Sequence, residues 1–293
     1  MFKRSTNYLS SSPEKILNRH TAEVTSLSWS KEDKLISSGR DNKVIMWDPA
    51  YDEPSKIFEH PDQVTFCLFY KTSSEHFISA CKDKLLRVFK TAECKPLAYY
   101  QIPMNCYSLD IDSKDKFLAV GINKGEVLLY NVRGDFHLRL FTKLICKNRR
   151  GIYNKGKKVV GLRFITNEWL MVCTSDSRIR IMNFIYNTLV QKFKGLKNLK
   201  AKICPDFSFK DQTLVSGSED GRICFWKYDP DTKKNSKFES FEPRSKKTTE
   251  YTVIAPPRIE EDLRLRFTEG EIKFVLFSIG AKDMLKIFLV LSK

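Results

Sequence analysis

Apolar and polar residues alternate with a period of two along most of this chain, in short runs broken by Asp, Asn, Gly and Ser. That pattern predicts strands joined by tight polar turns. One phrase recurs: an apolar run, a small polar pair, an aspartate turn, and a β-branched run that ends on an aromatic ring. It reads LISSGRDNKVIMW at 35–47, FISACKDKLLRVF at 77–89 and LVSGSEDGRICFW at 214–226. Weaker copies are FLAVGINKGEVLLY at 117–130 and LMVCTSDSRIRIM at 170–182. Each copy predicts a strand, a turn and a second strand.

Aligned on Asp41, Asp83, Lys124, Asp176 and Asp220, the turns follow one another at steps of 42, 41, 52 and 44 residues, and a degenerate copy surrounds Asp283, 63 residues further on. A period near forty in an all-strand pattern predicts blades of four strands repeated around an axis. The expected fold is an all-β propeller, of six blades or as an incomplete ring of seven. The domain plan is a flexible tail over 1–12 and a single propeller over 13–293. The two long steps mark insertions, KLICKNRRGIYNKGKK at 143–158 and DPDTKKNSKFESFEPRSKKTTE at 229–250. The first is basic and glycine-punctuated, the second polar and poor in aliphatics, so both predict mobile exposed loops. A propeller must also hide its terminal strand edges. The segment PEKIL at 13–17 is expected to do this by adding to the sheet formed by 250–293.

Composition narrows the setting. Over 293 residues, 42% are apolar and 29% charged, the balance of a soluble globular chain. The N-terminus carries no apolar run of signal-peptide length. The most hydrophobic stretch, 272–293, is interrupted by Lys273, Lys282, Asp283 and Lys286 and reads as two buried strands rather than a membrane span. Eight cysteines never form a C-x-x-C pair and mostly sit in apolar runs, which predicts reduced, buried thiols and a cytosolic or nuclear protein. Charge changes the picture more. The net charge is +16, and residues 143–200 hold 14 Lys or Arg against Glu168 and Asp176 alone. A surface that basic calls for an acidic partner.

Candidate chemistry is thin. His20, Ser37, Asp41 and Trp47 contain the members of a nucleophilic triad. The set recurs as His60, Ser79, Asp83 and Phe89, and in part as Ser216, Asp220 and Trp226, whereas an enzyme needs one triad and not one per repeat. The residues therefore read as architecture. GIYNKGKK at 151–158 imitates a phosphate-binding loop, but Lys158 stands where that loop needs Ser or Thr, and a strand follows instead of a helix. His76 and His137 have no companions at ligand spacing. No catalytic residue, metal or cofactor is expected.

These phrases resemble WD-repeat propellers. The resemblance implies that each His, Ser, Asp and Trp set forms a buried hydrogen-bonded chain, from indole to serine to histidine to aspartate. Over residues 15–230 the order of KKVVGLRFI, CTSDSRIRIMNF, FKGLKN and LVSGSEDGRICFW is similar to the WD repeat-containing protein 44 family, Rab-associated propellers of membrane traffic. EYTVIAPP and FVLFSIGAKDMLKIF resemble its last blade. That family's Rab binding is ascribed to a region before the propeller, and this chain begins without that region and without the first repeat. The resemblance implies a non-catalytic scaffold, cytoplasmic and peripheral to vesicle or endosomal membranes, with a small GTPase of the Rab class as one partner.

In such an architecture the turns share one face. Arg40, Lys43, Lys82, Lys84, Lys124, Arg178 and Arg222 then join Lys147, Arg149, Arg150, Lys155, Lys157 and Lys158 of the 143–158 insertion on a basic rim. An acidic protein segment is the first expected partner. Anionic lipid is the second, since Arg149 and Arg150 before Gly151 look like the arginine pair of phosphoinositide-binding propellers, with Asn148 departing from that pattern. RNA is the third. Oligomeric state is left open.

Overall fold

The computed structural model describes residues 2–4, 17–134, 137–148, 156–208, 212–228, 238–241, 249–254, 272–280 and 285–291, with residues 2–4, 241 and those from 249 on described by backbone alone. Within them every regular element is a strand, and the strands form six antiparallel sheets of four. The first sheet orders β2 (Val24–Trp29), β3 (Leu35–Gly39), β4 (Lys43–Trp47) and β5 (Pro54–Glu59). The second holds β6 (Val64–Phe69), β7 (His76–Cys81), β8 (Leu85–Lys90) and β9 (Pro96–Gln101). In the third are β10 (Ser108–Ile111), β11 (Phe117–Gly121), β12 (Glu126–Arg133) and β13 (His137–Ile145). The fourth has β14 (Val159–Phe164), β15 (Trp169–Thr174), β16 (Arg178–Asn183) and β17 (Thr188–Phe193), and the fifth β18 (Asp206–Ser208), β19 (Thr213–Gly217), β20 (Ile223–Lys227) and β21 (Phe238–Phe241). In the sixth, β22 (Thr249–Ile254), β23 (Ile272–Gly280) and β24 (Leu285–Leu291) are joined by β1 (Phe2–Arg4).

The turn between the second and third strands is the same device five times. Asn42, Lys84, Lys124, Ser177 and Gly221 all sit at positive φ, one residue after Asp41, Asp83, Asn123, Asp176 and Asp220. A left-handed residue at that point lets the chain reverse within the twist of the two strands. In the third sheet the aspartate position therefore belongs to Asn123, and Lys124, taken from the sequence as the aligned residue, falls one place later.

The chain divides into two compact units, residues 13–167 on the one hand and 1–12 with 168–293 on the other. In the unit 13–167 the innermost strands run side by side in one direction. Thr25 donates to the carbonyl of Val64 at 2.8 Å, Ser26 to that of Cys67 at 3.1 Å, and the amide of Phe69 to Ser28 at 3.0 Å, fixing β2 along β6. Ser108 reaches the carbonyl of Val159 at 2.9 Å and Asp110 the amide of Phe164 at 2.8 Å, fixing β10 along β14. Between the first and second sheets Ile36, Val44, Met46 and Phe58 pack on Val64, Cys67, Phe69, Phe77 and Phe89. Phe58 meets Phe77 edge-on, ring centres 4.8 Å apart. Burying such a ring is worth roughly 2–3 kcal/mol, so this apolar layer, more than any polar contact, holds the sheets face to face.

In the other unit the chain's two ends meet in one sheet: Phe2 pairs with Val290, Lys3 with Leu289 and Arg4 with Phe288. Among the described residues the strand that adds to the last sheet is Phe2–Arg4, inside the segment expected to be a flexible tail. Of the segment 13–17 expected there, 13–16 lie outside the described residues. Leu17 is no strand residue and instead packs on Leu35, Ile45 and Trp47. The insertion 229–250 is likewise more than a loop. Phe238–Phe241 pairs with β20 as the fourth strand of its sheet, Phe238 against Trp226 with ring centres 5.5 Å apart, and Thr249 opens β22. The insertion at 143 begins later than expected, since β13 continues to Ile145.

No helix among the described residues is long and apolar enough to cross a membrane. The eight cysteines are free thiols, six of them buried, with Cys204 partly covered and Cys94 exposed.

Candidate functional site

The first sheet contains a complete polar relay. Trp47 donates its indole N–H to Ser37 Oγ at 2.8 Å, Ser37 lies 2.7 Å from His20 Nε2, and His20 Nδ1 lies 2.9 Å from Asp41 Oδ2. Every atom is matched when Ser37 donates to Nε2 and the ring donates from Nδ1. Asp41 also accepts the amide of Thr21 at 3.1 Å, which ties the entry segment to the turn. The absence of a side chain at Gly39 makes the last link possible, because a Cβ there would collide with both Asp41 Oδ1 and His20 Nδ1. Ser-His-Asp geometry is thus present, but the Ser37 hydroxyl is buried and already bonded to Trp47 and His20, with the Ile45 carbonyl at 3.5 Å.

The second sheet stops halfway. His60 Nε2 meets Ser79 Oγ at 2.8 Å, but Nδ1 donates to the carbonyl of Phe58 at 3.1 Å rather than to Asp83. Asp83 pairs instead with Arg87, four residues on. Burial first, and then the Arg87 charge, push the His60 pKa down to about 4, against the weaker upward pull of the Phe58 carbonyl and Asp83. Phe89 stacks in the place of the indole, 5.0 Å from Phe77. The expected His60–Asp83 contact is therefore corrected.

In the fifth sheet the expected set does not come together. Ser216 donates to the carbonyl of Gly217 at 3.0 Å, Trp226 to the carbonyl of Lys194 at 2.8 Å, and Asp220 holds Arg222 at 2.9 Å. No histidine stands before this repeat. Glu219 does the work of tying the entry segment, accepting the amides of Leu199, Lys200 and Ala201 at 2.8, 2.5 and 2.7 Å. Burial opposes its ionisation, yet those three amides hold its carboxyl below the usual range. The fourth sheet uses an ion pair: Asp176 and Arg180, both almost wholly buried, meet at 2.8 Å with Thr174 bonded to each.

The basic rim is clearest in the unit 13–167. Because its innermost strands run in one direction, the turns at 40–42, 82–84 and 123–125 lie at the same end of their sheets. Each is bonded to the entry segment beside it, as in Arg40 N to Glu23 O at 2.9 Å and Lys82 N to Gln63 O at 2.9 Å. The third turn is gripped by both ends of the basic insertion: Gly125 N donates to Lys157 O at 2.5 Å and Cys146 N to Gly125 O at 2.6 Å. Gly156, at φ +76°, passes so close that a Cβ would strike the Lys124 carbonyl. Lys124, Lys147, Lys157 and Lys158 are exposed, and Lys158 lies over the Tyr107 ring at 4.8 Å. Arg149, Arg150 and Lys155 lie outside the described residues. Acids answer part of the rim: Glu23 holds Arg40 at 3.2 Å, Glu59 holds Lys43 at 3.5 Å and Glu126 holds Lys143 at 2.8 Å. Lys82, Lys84, Lys124 and Lys147 have no ion pair among the described residues. Arg178 belongs to the other unit and donates to the carbonyl of Ser177 at 2.7 Å.

Comparison with known proteins bears on this pattern. Residues 11–48 and 190–227 match the WD domain, G-beta repeat. Over 94% of its length the chain superposes on the β-propeller domain of Cps50 (Swd1) from Myceliophteria thermophila, with a TM-score of 0.70 at 16% identity and 85% of that chain covered. The chain folds as a β-propeller and carries WD repeats over those residues. A chain of the mitotic checkpoint complex gives a TM-score of 0.71 at 14% identity, covering 94% of this WD-repeat chain and 77% of its own. Among curated proteins the chain is 29% identical to WD repeat-containing protein 44 of Xenopus laevis over 71% of its residues, and 24% identical to mouse Jouberin, also over 71%. It spans 23% and 21% of the length of those two relatives.

The polar relays tie the turns to their entry segments, and the rim is built from exposed turns and loops. No cluster of metal-ligating side chains occurs among the described residues. Three contributors escaped the sequence: Arg87, Arg180 and Glu219. The first two lie four residues after a turn aspartate, a spacing that across a hairpin brings cation and carboxylate together, and that spacing was visible.

Proposed function

We propose that this chain is a protein-interaction scaffold that binds an acidic protein segment at the rim built from Lys82, Lys84, Lys124 and Lys147. The carrying observation is that these four exposed lysines share one end of their sheets without a carboxylate partner among the described residues. Lys84 and Lys124 also occupy left-handed turn positions, where Asn or Gly is the less strained choice. Lysine held there at a conformational cost supports a role beyond solvation. The resemblance to the WD repeat-containing protein 44 family supports placing the scaffold in the cytoplasm, in membrane traffic, with a Rab-class GTPase among its partners.

The test is affinity purification with the wild-type chain and with a variant carrying Lys82→Glu, Lys84→Glu, Lys124→Glu and Lys147→Glu, read by mass spectrometry. Loss of specific acidic partners, with thermal unfolding unchanged, is the expected result. Recovery of the same partners by both chains refutes the rim. Liposome flotation and an RNA shift assay run beside it. Phosphoinositide-dependent flotation abolished by Arg149→Ala with Arg150→Ala, or salt-sensitive RNA binding, moves the function to lipid or nucleic acid.

A further inference from the structure

β13 ends its sheet, and its last residues run straight into the rim. From Lys143 to Lys147 exposure alternates strictly: Lys143, Ile145 and Lys147 are open to solvent while Leu144 and Cys146 are buried. β13 itself ends at Ile145, and one residue further on Cys146 N still reaches Gly125 O across the ladder at 2.6 Å. Ile145 is 54% exposed and Leu140 55%, as open as Leu97 on β9 (47%) and Leu189 on β17 (52%). The corresponding edges β5, β9 and β17 are shorter, six residues each, and the first two open on a proline, Pro54 and Pro96, whereas β13 has nine residues and no proline.

We propose that an extended acidic segment of a partner protein adds, as a fifth strand, to the edge of β13 that no described strand pairs, recognised by the exposed series Lys143, Ile145, Lys147. Side chains two residues apart share a face, so the complementary segment carries an acid, an aliphatic and an acid at alternate positions. Main-chain hydrogen bonds to the open edge supply affinity and the alternating side chains supply register. Lys143 already holds Glu126 and is still nearly half exposed, so it bridges two carboxylates, while Lys147 is free to take the second acid. The inference rests on the acidic-partner reading and adds to it the mode of binding.

The probe is a labelled peptide, acetyl-Glu-Thr-Val-Thr-Glu-amide, with two relatives N-methylated either at the valine or at both threonines. Only one set of amides can face the protein in a strand, so one methylated peptide loses binding at least tenfold and the other does not. Ile145→Asp also weakens the parent peptide at least tenfold, and hydrogen exchange slows at the amides of 143–147 in the complex. Equal binding of all three peptides refutes strand addition, and leaves the charged rim standing if the lysine-to-glutamate variant loses them all. No binding of any peptide refutes the recognition series, and the purification experiment then decides separately whether the rim has acidic partners.

Discussion

The first and second sheets carry the same phrase, LISSGRDNKVIMW and FISACKDKLLRVF, and turn it into different circuits. In the first, indole, hydroxyl, imidazole and carboxylate form one line from Trp47 to Asp41. In the second the line breaks after His60, and the carboxylate joins an arginine. Two positions account for the break. Gly39 becomes Cys81, which removes the space through which histidine meets aspartate. Ile45 becomes Arg87, which brings a cation beside that aspartate; Ile45 faces Ser37 across the hairpin as Arg87 faces Ser79. The lesson is that the relay depends less on its four named residues than on what stands two residues before the aspartate and four after it. The second sheet tolerates the break because each stranded group finds a neighbour, Phe58 O for the ring and Arg87 for the carboxylate, so neither the imidazole nor the carboxylate is left unmatched.

The largest expected effect comes from His60. Its folded pKa of about 4 lies below the ordinary 6.5, so between these values the unfolded chain binds the proton that the folded chain refuses. Stability from this group is therefore complete above pH 6.5 and is lost as pH falls toward 4, amounting to about 3 kcal/mol. Denaturant unfolding at pH 7 and pH 4.5, compared with His60→Gln, should show this extra acid loss in the wild-type chain only. Equal slopes would mean that His60 is not held neutral.

Next come the two ends of the first relay. Asp41→Ala strands His20 and the Thr21 amide, and Gly39→Ala drives a methyl group into the same contact, so each should lower stability by about 2 kcal/mol. Both act on one link, so the double variant should cost little more than either alone. Additive losses in thermal unfolding would separate the glycine from the relay. Trp47→Phe gives the first sheet the second sheet's aromatic and removes one hydrogen bond from Ser37, an expected loss of about 1 kcal/mol by the same measurement.

Much of this was legible in the chain. Period-two alternation and turn residues recurring near every forty positions determine the sheets, and the tetrad of the first sheet is spelled out in order. The break in the second sheet was hidden because Arg87 sits in an apolar strand and reads as an outward charge, although the register turns it toward Asp83. The fifth sheet misled because Ser216, Asp220 and Trp226 are present while the histidine that would join them is not. The closing strand Phe2–Arg4 was missed because three residues are too few to show alternation, and only pairing with β24 defines them. The exposure of Lys82, Lys84, Lys124 and Lys147 follows from their places in and beside polar turns, but the grip of 146 and 157 on the third turn arises from backbone bonds that side-chain types do not announce.

The smallest effect on stability, and the sharpest test of the comparison, is expected from converting the second sheet into the first. Arg87→Ile removes a mostly buried cation and leaves Asp83 partly open to water, so stability should change by less than about 1 kcal/mol. The His60 pKa should nevertheless rise, because Arg87 lowers it and Asp83 raises it. Cys81 still blocks the aspartate, so the single variant should keep the Nδ1 bond to Phe58. Adding Cys81→Gly opens the space, and the double variant should swing His60 Nδ1 to Asp83 with a further rise in pKa, visible in the imidazole nitrogen shifts during an NMR titration. If the double variant titrates like the single one, the glycine is not what lets the first sheet complete its line, and the difference between the two sheets must lie in the longer approach to His60, 23 residues before its aspartate against 21 for His20.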